Sequence, residues 1–230
     1  MNRGGWPTGR LSAVVFDLDG VLADSLDVMR QAFTAAYEEV VGAGEAPFDE
    51  YRSYMGMYFP EILRRMGLPA EMEDPFVRVS AELASEVPVY DGVRPMLAQL
   101  RARGLRLAVA TGKSGARARA LLGELKLIGL FDAVVGSDEV ARPKPAPDIV
   151  VRALASAGAP GAPGGRPGVA AMVGDAPADM RSARAAQVVA IGALWGTDDK
   201  AALLAARPDA IAYQPSDVTA LCLPASKLAS

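Results

Sequence analysis

Two pairs of closely spaced aspartates are the residues of this sequence with the clearest capacity for chemistry. Asp17 and Asp19 form one pair in the segment FDLDGVLADS, and Asp175 and Asp179 form the other in VGDAPAD. Carboxylates held this close repel one another, so they need a cation between them or one must keep a proton. All-oxygen ligands suit Mg²⁺ rather than zinc or copper. The pairs predict an acidic metal site, and helix-capping turns are the alternative reading of each.

A possible phosphate cradle and a rigidly framed lysine lie between the acidic pairs. Thr111 and Gly112, in TGKS, offer a hydroxyl and a backbone N–H ahead of a helix, which suits a phosphoryl group or simple helix capping. TGKS is not a P-loop, because the first glycine of that motif is replaced by Leu107. Lys144 lies between prolines in RPKPAPD. The prolines restrict the backbone and fix where Lys144 points, although a surface lysine in a proline-rich loop is the plainer alternative.

Composition excludes several classes of chemistry. The 230 residues include no histidine and one cysteine, Cys222. Ser-His-Asp triads, Cys-His pairs and histidine-ligated zinc are therefore absent, and the lone cysteine suits a reducing compartment. The net charge of −3 creates no field that attracts nucleic acid or an anionic membrane. With no visible targeting segment or apolar run of membrane-spanning length, we expect a cytoplasmic protein that binds neither nucleic acid nor membrane.

Strand and helix patterns alternate along most of the chain. Short apolar runs predict strands at 11–17, 105–110, 134–135, 169–173 and 188–191. Helical spacing appears between them at 93–103, 116–125, 149–157 and 178–186. This alternation predicts an α/β, Rossmann-like core, a parallel sheet with helices on both faces. The candidate residues follow four successive strands, and ligands in such folds bind beyond the carboxyl ends of the strands.

One long helical stretch interrupts this alternation after the first strand. Residues 26–90 show helical spacing with no strand, which predicts a small all-α cap inserted into the core. We therefore expect a catalytic core of 11–25 and 91–217, with tails at 1–10 and 218–230. Cap residues that could face a substrate lie in and after a turn, with packing in the cap core as the alternative: Met55, Gly56, Tyr58 and Arg64.

The order and spacing of these segments resemble a known family. FDLDGVLADS, TGKS, RPKPAPD and VGDAPAD resemble haloacid dehalogenase superfamily phosphatases with a helical cap, a group similar to phosphoglycolate phosphatases and β-phosphoglucomutase. SLDVMRQAF, ATGKSGARARALL and GDAPADMRSARAA look most like the phosphatases associated with synthesis of 3-amino-5-hydroxybenzoic acid, the starter unit of ansamycin and mitomycin antibiotics. The resemblance implies a Mg²⁺-dependent phosphatase for a small phosphorylated metabolite of the sugar or amino-sugar type.

The resemblance also implies roles for individual residues. Asp17 resembles the nucleophile that forms an aspartyl-phosphate, and Asp19 resembles the general acid/base. Thr111 and Gly112 would hold phosphoryl oxygens, and Lys144 would neutralise their charge. The implied Mg²⁺ ligands are Asp17, Asp19 through its carbonyl, Asp175 and, less directly, Asp179.

Several alternatives remain open at this point. A phosphoglycolate phosphatase or a phosphomutase would use the same residues. A signalling receiver domain also combines acids, a threonine and a lysine, but it has no helical insert of this size. A catalytically silent binding partner would not need the acidic pair, and a haloacid dehalogenase proper would need neither Asp19 nor Mg²⁺. The sequence leaves open whether the protein is a monomer or a dimer.

Overall fold

The computed structural model describes residues 11–159, 170–197 and 199–223. The predicted tail at 1–10 and the end of the other tail lie outside these ranges. So does most of the segment GAPGAPGGRPG at 158–168, whose composition predicts a loop.

The core is a parallel sheet of six strands in the described residues. The strands are β1 (Ala13–Phe16), β2 (Arg106–Thr111), β3 (Ala133–Gly136), β4 (Ala170–Gly174), β5 (Val189–Ala193) and β6 (Ala210–Ala212). Their spatial order is β3-β2-β1-β4-β5-β6, and every neighbouring pair is parallel. The α/β, Rossmann-like fold class is confirmed. The sequence analysis missed β6, whose three residues are too few to show a strand period.

Helices cover both faces of the sheet. The core helices are α5 (Val93–Ala102), α6 (Gly115–Glu124), α7 (Asp148–Ser156), α8 (Pro177–Ala185), α9 (Lys200–Ala205) and α10 (Pro215–Cys222). Val14 and Phe16 of β1 pack with α5, α6 and α10, whereas Ala13 and Val15 pack on the opposite face with α7, α8 and α9. This alternation follows from the two-residue period of a strand. No helix in the described ranges combines the length and apolarity that a membrane crossing requires.

The insert after β1 folds around its own aromatic cluster. Its helices are α1 (Leu26–Val40), α2 (Phe48–Ser53), α3 (Phe59–Met66) and α4 (Glu73–Glu82). Phe59 and Phe76 stack with ring centroids 3.8 Å apart, and Phe33 stacks on Tyr51 at 4.5 Å. The chain rejoins the main core before the predicted boundary at residue 90, because Val87 is already buried in the core cluster.

The predicted end of the core at residue 217 is wrong. Helix α10 continues to Cys222, and its side chains Val218 and Cys222 are buried in the cluster on the α5 face of the sheet. Pro215, Val218 and Cys222 fall on one face at helical spacing, so burial requires the whole helix. The core therefore extends at least five residues into the predicted tail.

Candidate active site

Asp17 lies directly after the central strand β1, at the carboxyl edge of the sheet. Its backbone N–H donates to the carbonyl of Val173 at 2.9 Å, which continues the pairing with β4. Its side chain is buried; Oδ1 accepts the Leu18 N–H at 2.7 Å, and Oδ2 lies 3.0 Å from Lys144 Nζ. The carboxylate is thus fixed where ligands bind in this fold.

Lys144 is buried among oxygen atoms from three segments. Its Nζ lies 3.0 Å from Asp17 Oδ2 and 2.7 Å from Asp179 Oδ1, and it donates to the Ala110 carbonyl at 3.2 Å. Burial alone would lower the pKa of Lys144, but Asp17 and Asp179 outweigh it and raise the pKa above its usual value. Lys144 is therefore a fixed cation at neutral pH.

Three carboxylates form a cluster suited to a hard cation. One oxygen each from Asp17, Asp175 and Asp179 lies within 4.8 Å of the others. Burial, opposed by Lys144 and reinforced by the neighbouring acids, raises the pKa of Asp17 from 3.8 to about 7. Burial together with Asp179 and Asp17 also raises the pKa of Asp175. Mutual repulsion in an all-oxygen donor set fits a divalent cation such as Mg²⁺.

The loop after β1 fits closely around this cluster. Gly20 has φ of +73°, and a Cβ at this position would lie 2.1 Å from Asp175 Oδ2. Only glycine allows both the left-handed backbone and this close approach.

Asp19 has a different electrostatic environment from Asp17. Its Oδ1 lies 2.9 Å from Lys113 Nζ and accepts the Ser25 hydroxyl at 2.5 Å. Burial alone would raise the pKa of Asp19, but Lys113 and Ser25 outweigh it and lower the pKa below its usual value. The two neighbouring carboxylates therefore differ in the metal-free protein: burial favours a proton on Asp17, whereas Lys113 and Ser25 keep Asp19 ionised. The sequence analysis gave Lys113 no role; the TGKS segment that contains it was the available signal.

Thr111 and Gly112 lie beside Asp17, because β2 pairs with β1. Thr111 is buried, and its hydroxyl accepts the Lys113 N–H at 3.2 Å. A Cβ on Gly112 would lie 2.7 Å from the carbonyl oxygens of Gly56 and Met57. The cap turn therefore contacts the predicted phosphate cradle directly.

The four candidate cap residues differ in exposure and in how close they lie to the site. Gly56 lies over the site, where a Cβ would be 3.3 Å from that of Ala176. Met55 and Tyr58 are half-buried, and Met55 packs against the cap cluster. The Arg64 side chain is 71% exposed and pairs with Glu61 at 2.7 Å, so its role as a substrate contact stays a prediction. The three-residue spacing puts both on the solvent face of α3.

The parallel sheet carries a helical cap, and an acidic cluster paired with a buried lysine lies at the carboxyl edge of that sheet. These features define the class of protein as a capped α/β enzyme. A family model described as haloacid dehalogenase-like hydrolase matches residues 14–193, and the chain belongs to that family. The match spans the cap insertion and the segments that carry Asp17, Lys144 and Asp175.

Individual relatives cover nearly the whole chain. The chain is 34% identical over 234 residues to a probable phosphatase, IndB, of Dickeya dadantii, covering 94% of this chain and 96% of the relative. It is 30% identical over 215 residues to a phosphoglycolate phosphatase of Synechococcus elongatus, covering 90% and 95%. A hydrolase structure from Pseudomonas syringae has a TM-score of 0.76 at 26% identity, covering 90% of this chain and 95% of that chain.

Proposed function

We propose that this protein is a Mg²⁺-dependent phosphatase that hydrolyses a small phosphorylated metabolite through an aspartyl-phosphate on Asp17. One observation carries the proposal: Asp17, Lys144 and the acids of the VGDAPAD segment converge at one sheet edge, while Asp19 pairs with a separate cation. The family assignment and the phosphatase names of the relatives support the same activity.

The chemistry divides between Asp17 and Asp19. A carboxylate oxygen of Asp17 attacks phosphorus, and the bond from phosphorus to the leaving oxygen breaks. Asp19 is ionised beside Lys113 in the free protein, so it takes up a proton from solvent or from the monoprotonated phosphate group as the substrate binds. It gives that proton to the leaving oxygen and then takes a proton from the water that attacks the aspartyl-phosphate. Phosphate leaves and the Asp17 carboxylate is regenerated. Thr111 and the Gly112 N–H hold phosphoryl oxygens, and Lys144 stabilises their negative charge.

The acidic cluster would hold the metal. Asp17, Asp175 and the Asp19 carbonyl would ligate Mg²⁺, which supplies positive charge against the phosphoryl oxygens when bound. Asp179 acts mainly on Lys144, because Oδ1 pairs with Lys144 and Oδ2 accepts the Ala176 N–H at 3.1 Å. We propose that Asp179 is a positioning residue for Lys144 and supports the metal site from outside.

The substrate is a small phosphomonoester, and two classes are proposed. The sequence features shared with the phosphatases of 3-amino-5-hydroxybenzoic acid synthesis favour a sugar or amino-sugar phosphate in that pathway. The phosphoglycolate phosphatase of Synechococcus elongatus, similar over 90% of this chain, favours a phosphorylated hydroxy acid. These classes differ in the charge of the leaving group.

A screen of phosphomonoesters with Mg²⁺, and with EDTA instead, tests the activity. We expect Mg²⁺-dependent phosphate release that Asp17→Asn reduces by several orders of magnitude, because the amide cannot attack phosphorus. Asp24→Asn is the matched control, since Asp24 is an exposed acid in the same segment. Wild-type turnover by Asp17→Asn, or the same loss in both variants, contradicts the assignment.

A further inference from the structure

A second group of cationic side chains lies on the cap side of Asp19, apart from Lys144. Lys113 is 8% exposed; its Nζ lies 2.9 Å from Asp19 Oδ1 and 3.8 Å from the sulfur of Met29 in cap helix α1. Asp19 transfers the proton to the leaving oxygen in the proposed reaction. Groups between Asp19 and the cap therefore surround the leaving group rather than the phosphoryl group.

Arg117 lies in the first turn of α6, four residues after Lys113. It is half-buried, its Nη2 donates to Ser80 Oγ at 2.9 Å, and its guanidinium carbon lies 5.0 Å from the centre of the Phe76 ring. Among the residues that the structure describes, no carboxylate lies within ion-pair distance of this guanidinium. Asp19 and Glu73 act on this guanidinium only from beyond ion-pair distance, so the half-buried cation has no direct counter-ion of the kind that burial of charge normally requires.

The exposed arginines of the same protein are arranged in the opposite way. Arg64 pairs with Glu61 at 2.7 Å and Arg142 pairs with Asp148 at 2.8 Å, although both arginine side chains are mostly exposed. These two arginines have carboxylate partners although water already solvates them. Arg117, which water solvates less well, has no carboxylate partner in the described ranges.

The hydroxyl of Tyr51 is a third donor in this region. Tyr51 is buried, and its hydroxyl lies 4.0 Å from the sulfur of Met29, a weak acceptor. The Lys113 ammonium lies 3.8 Å from the same sulfur, so the phenol and the ammonium are neighbours. A phenol facing only a sulfur can donate a stronger hydrogen bond to an incoming oxygen anion.

We propose that Lys113, Arg117 and the Tyr51 hydroxyl form a second anion subsite, which binds a carboxylate on the leaving group of the substrate. This inference rests on the proposed phosphatase function and deepens it. Asp19 pairs directly with Lys113, and no carboxylate among the described residues pairs directly with Arg117, so an entering anion would meet a cation that has no direct partner. A phosphorylated hydroxy acid supplies the missing anion, whereas the ammonium group of an amino-sugar phosphate is repelled.

Three phosphomonoesters of similar length separate these classes. We compare kcat/KM of the full chain with Mg²⁺ for 2-phosphoglycolate, 2-hydroxyethyl phosphate and phosphoethanolamine, whose leaving groups are anionic, neutral and cationic. A charge-assisted hydrogen bond contributes about 1.5–3 kcal/mol, so we expect the carboxylate ester to exceed the neutral ester on the order of 10- to 100-fold. Phosphoethanolamine should be slowest.

Arg117→Gln tests whether this preference comes from the subsite. The glutamine removes the charge and can still donate to Ser80, so the ratio between the carboxylate and neutral esters should fall about 10-fold. Arg117→Lys, which keeps the charge, should retain part of the ratio. Arg119→Gln is the control, because Arg119 is exposed on the same helix and pairs with Glu139 at 3.2 Å; its ratio should equal that of wild type.

The remaining outcomes overturn the inference in distinguishable ways. Equal rates for the anionic and neutral esters in wild type overturn the subsite and leave the phosphatase assignment standing. An equal loss on both esters in Arg117→Gln assigns Arg117 to holding α4 of the cap and also overturns the subsite. No hydrolysis of any ester overturns the proposed function, and the subsite with it.

Discussion

Neutralising the proposed nucleophile should stabilise the metal-free protein at alkaline pH. Asp17 is almost fully buried, and burial together with nearby acids raises its pKa from 3.8 to about 7, even with Lys144 opposing the shift. Between these pH values the native protein keeps a proton on Asp17 that the unfolded chain has lost. The contribution of Asp17 to the free energy of unfolding therefore falls as the pH rises through this window, and it is lowest above pH 7.

The pKa shift gives the size of the effect. At 1.36 kcal/mol for each pKa unit, ionised Asp17 lowers the free energy of unfolding by about 4 kcal/mol at pH 8.5. Asn resembles the protonated carboxyl group, so Asp17→Asn should recover most of this, and Tm should rise by about 10 °C. At pH 4 the two proteins should differ little, because Asp17 is then largely protonated in the native state.

Urea unfolding in EDTA at pH 4, 6 and 8.5 measures the difference between Asp17→Asn and wild type. Taking this difference cancels the titration of all groups that do not interact with Asp17. Glu124→Gln is the control, since Glu124 is an exposed acid at the end of α6, and its difference should stay near zero. A destabilised Asp17→Asn at pH 8.5, or a difference independent of pH, refutes the account of the acidic cluster.

Three further predictions follow from single contacts. Lys144→Met leaves Asp17 and Asp179 without their shared cation, so unfolding at pH 8 should cost about 3–5 kcal/mol less than in wild type; unchanged urea stability contradicts the observed ion pairs. Gly112→Ala places a Cβ 2.7 Å from two cap carbonyls and should lower kcat/KM about 10-fold or more by displacing the cap turn; wild-type kinetics would show that the cap does not close on this loop. Val218→Ala should lower the free energy of unfolding by about 2 kcal/mol, whereas Ala220→Ser, on the exposed side of the same helix, should leave it unchanged. Equal stability of the two variants would show that the residues after 217 are not part of the core.

The sequence predicts the sheet and the acidic cluster for the same physical reason. Strands buried on both faces read as short apolar runs, and the residues after them must meet at one edge of a parallel sheet. Asp17, Lys144 and Asp175 therefore come together even though long stretches of chain separate them. Their roles in catalysis stay predictions until the variants are measured.

The features that the sequence analysis missed depend on pairing between segments. The ion pair of Lys113 with Asp19 follows from where the β2 loop passes the β1 loop, which no local pattern encodes. Arg64 has the right residue type for a substrate contact, but helical spacing from Glu61 turns it to solvent. The second half of helix α10 lies in the tail predicted at 218–230, although Val218 and Cys222 are buried in the cluster on the α5 face of the sheet.

Direct detection of the covalent intermediate tests the central claim. Asp19→Asn should slow attack of water on the aspartyl-phosphate, while p-nitrophenyl phosphate, whose leaving group needs little protonation, can still phosphorylate the enzyme. Acid quenching of this variant with Mg²⁺, followed by peptide mass spectrometry, should find a phosphoryl group on Asp17. Turnover with no phosphoryl group on any residue, or a phosphoryl group on another residue, would contradict the account.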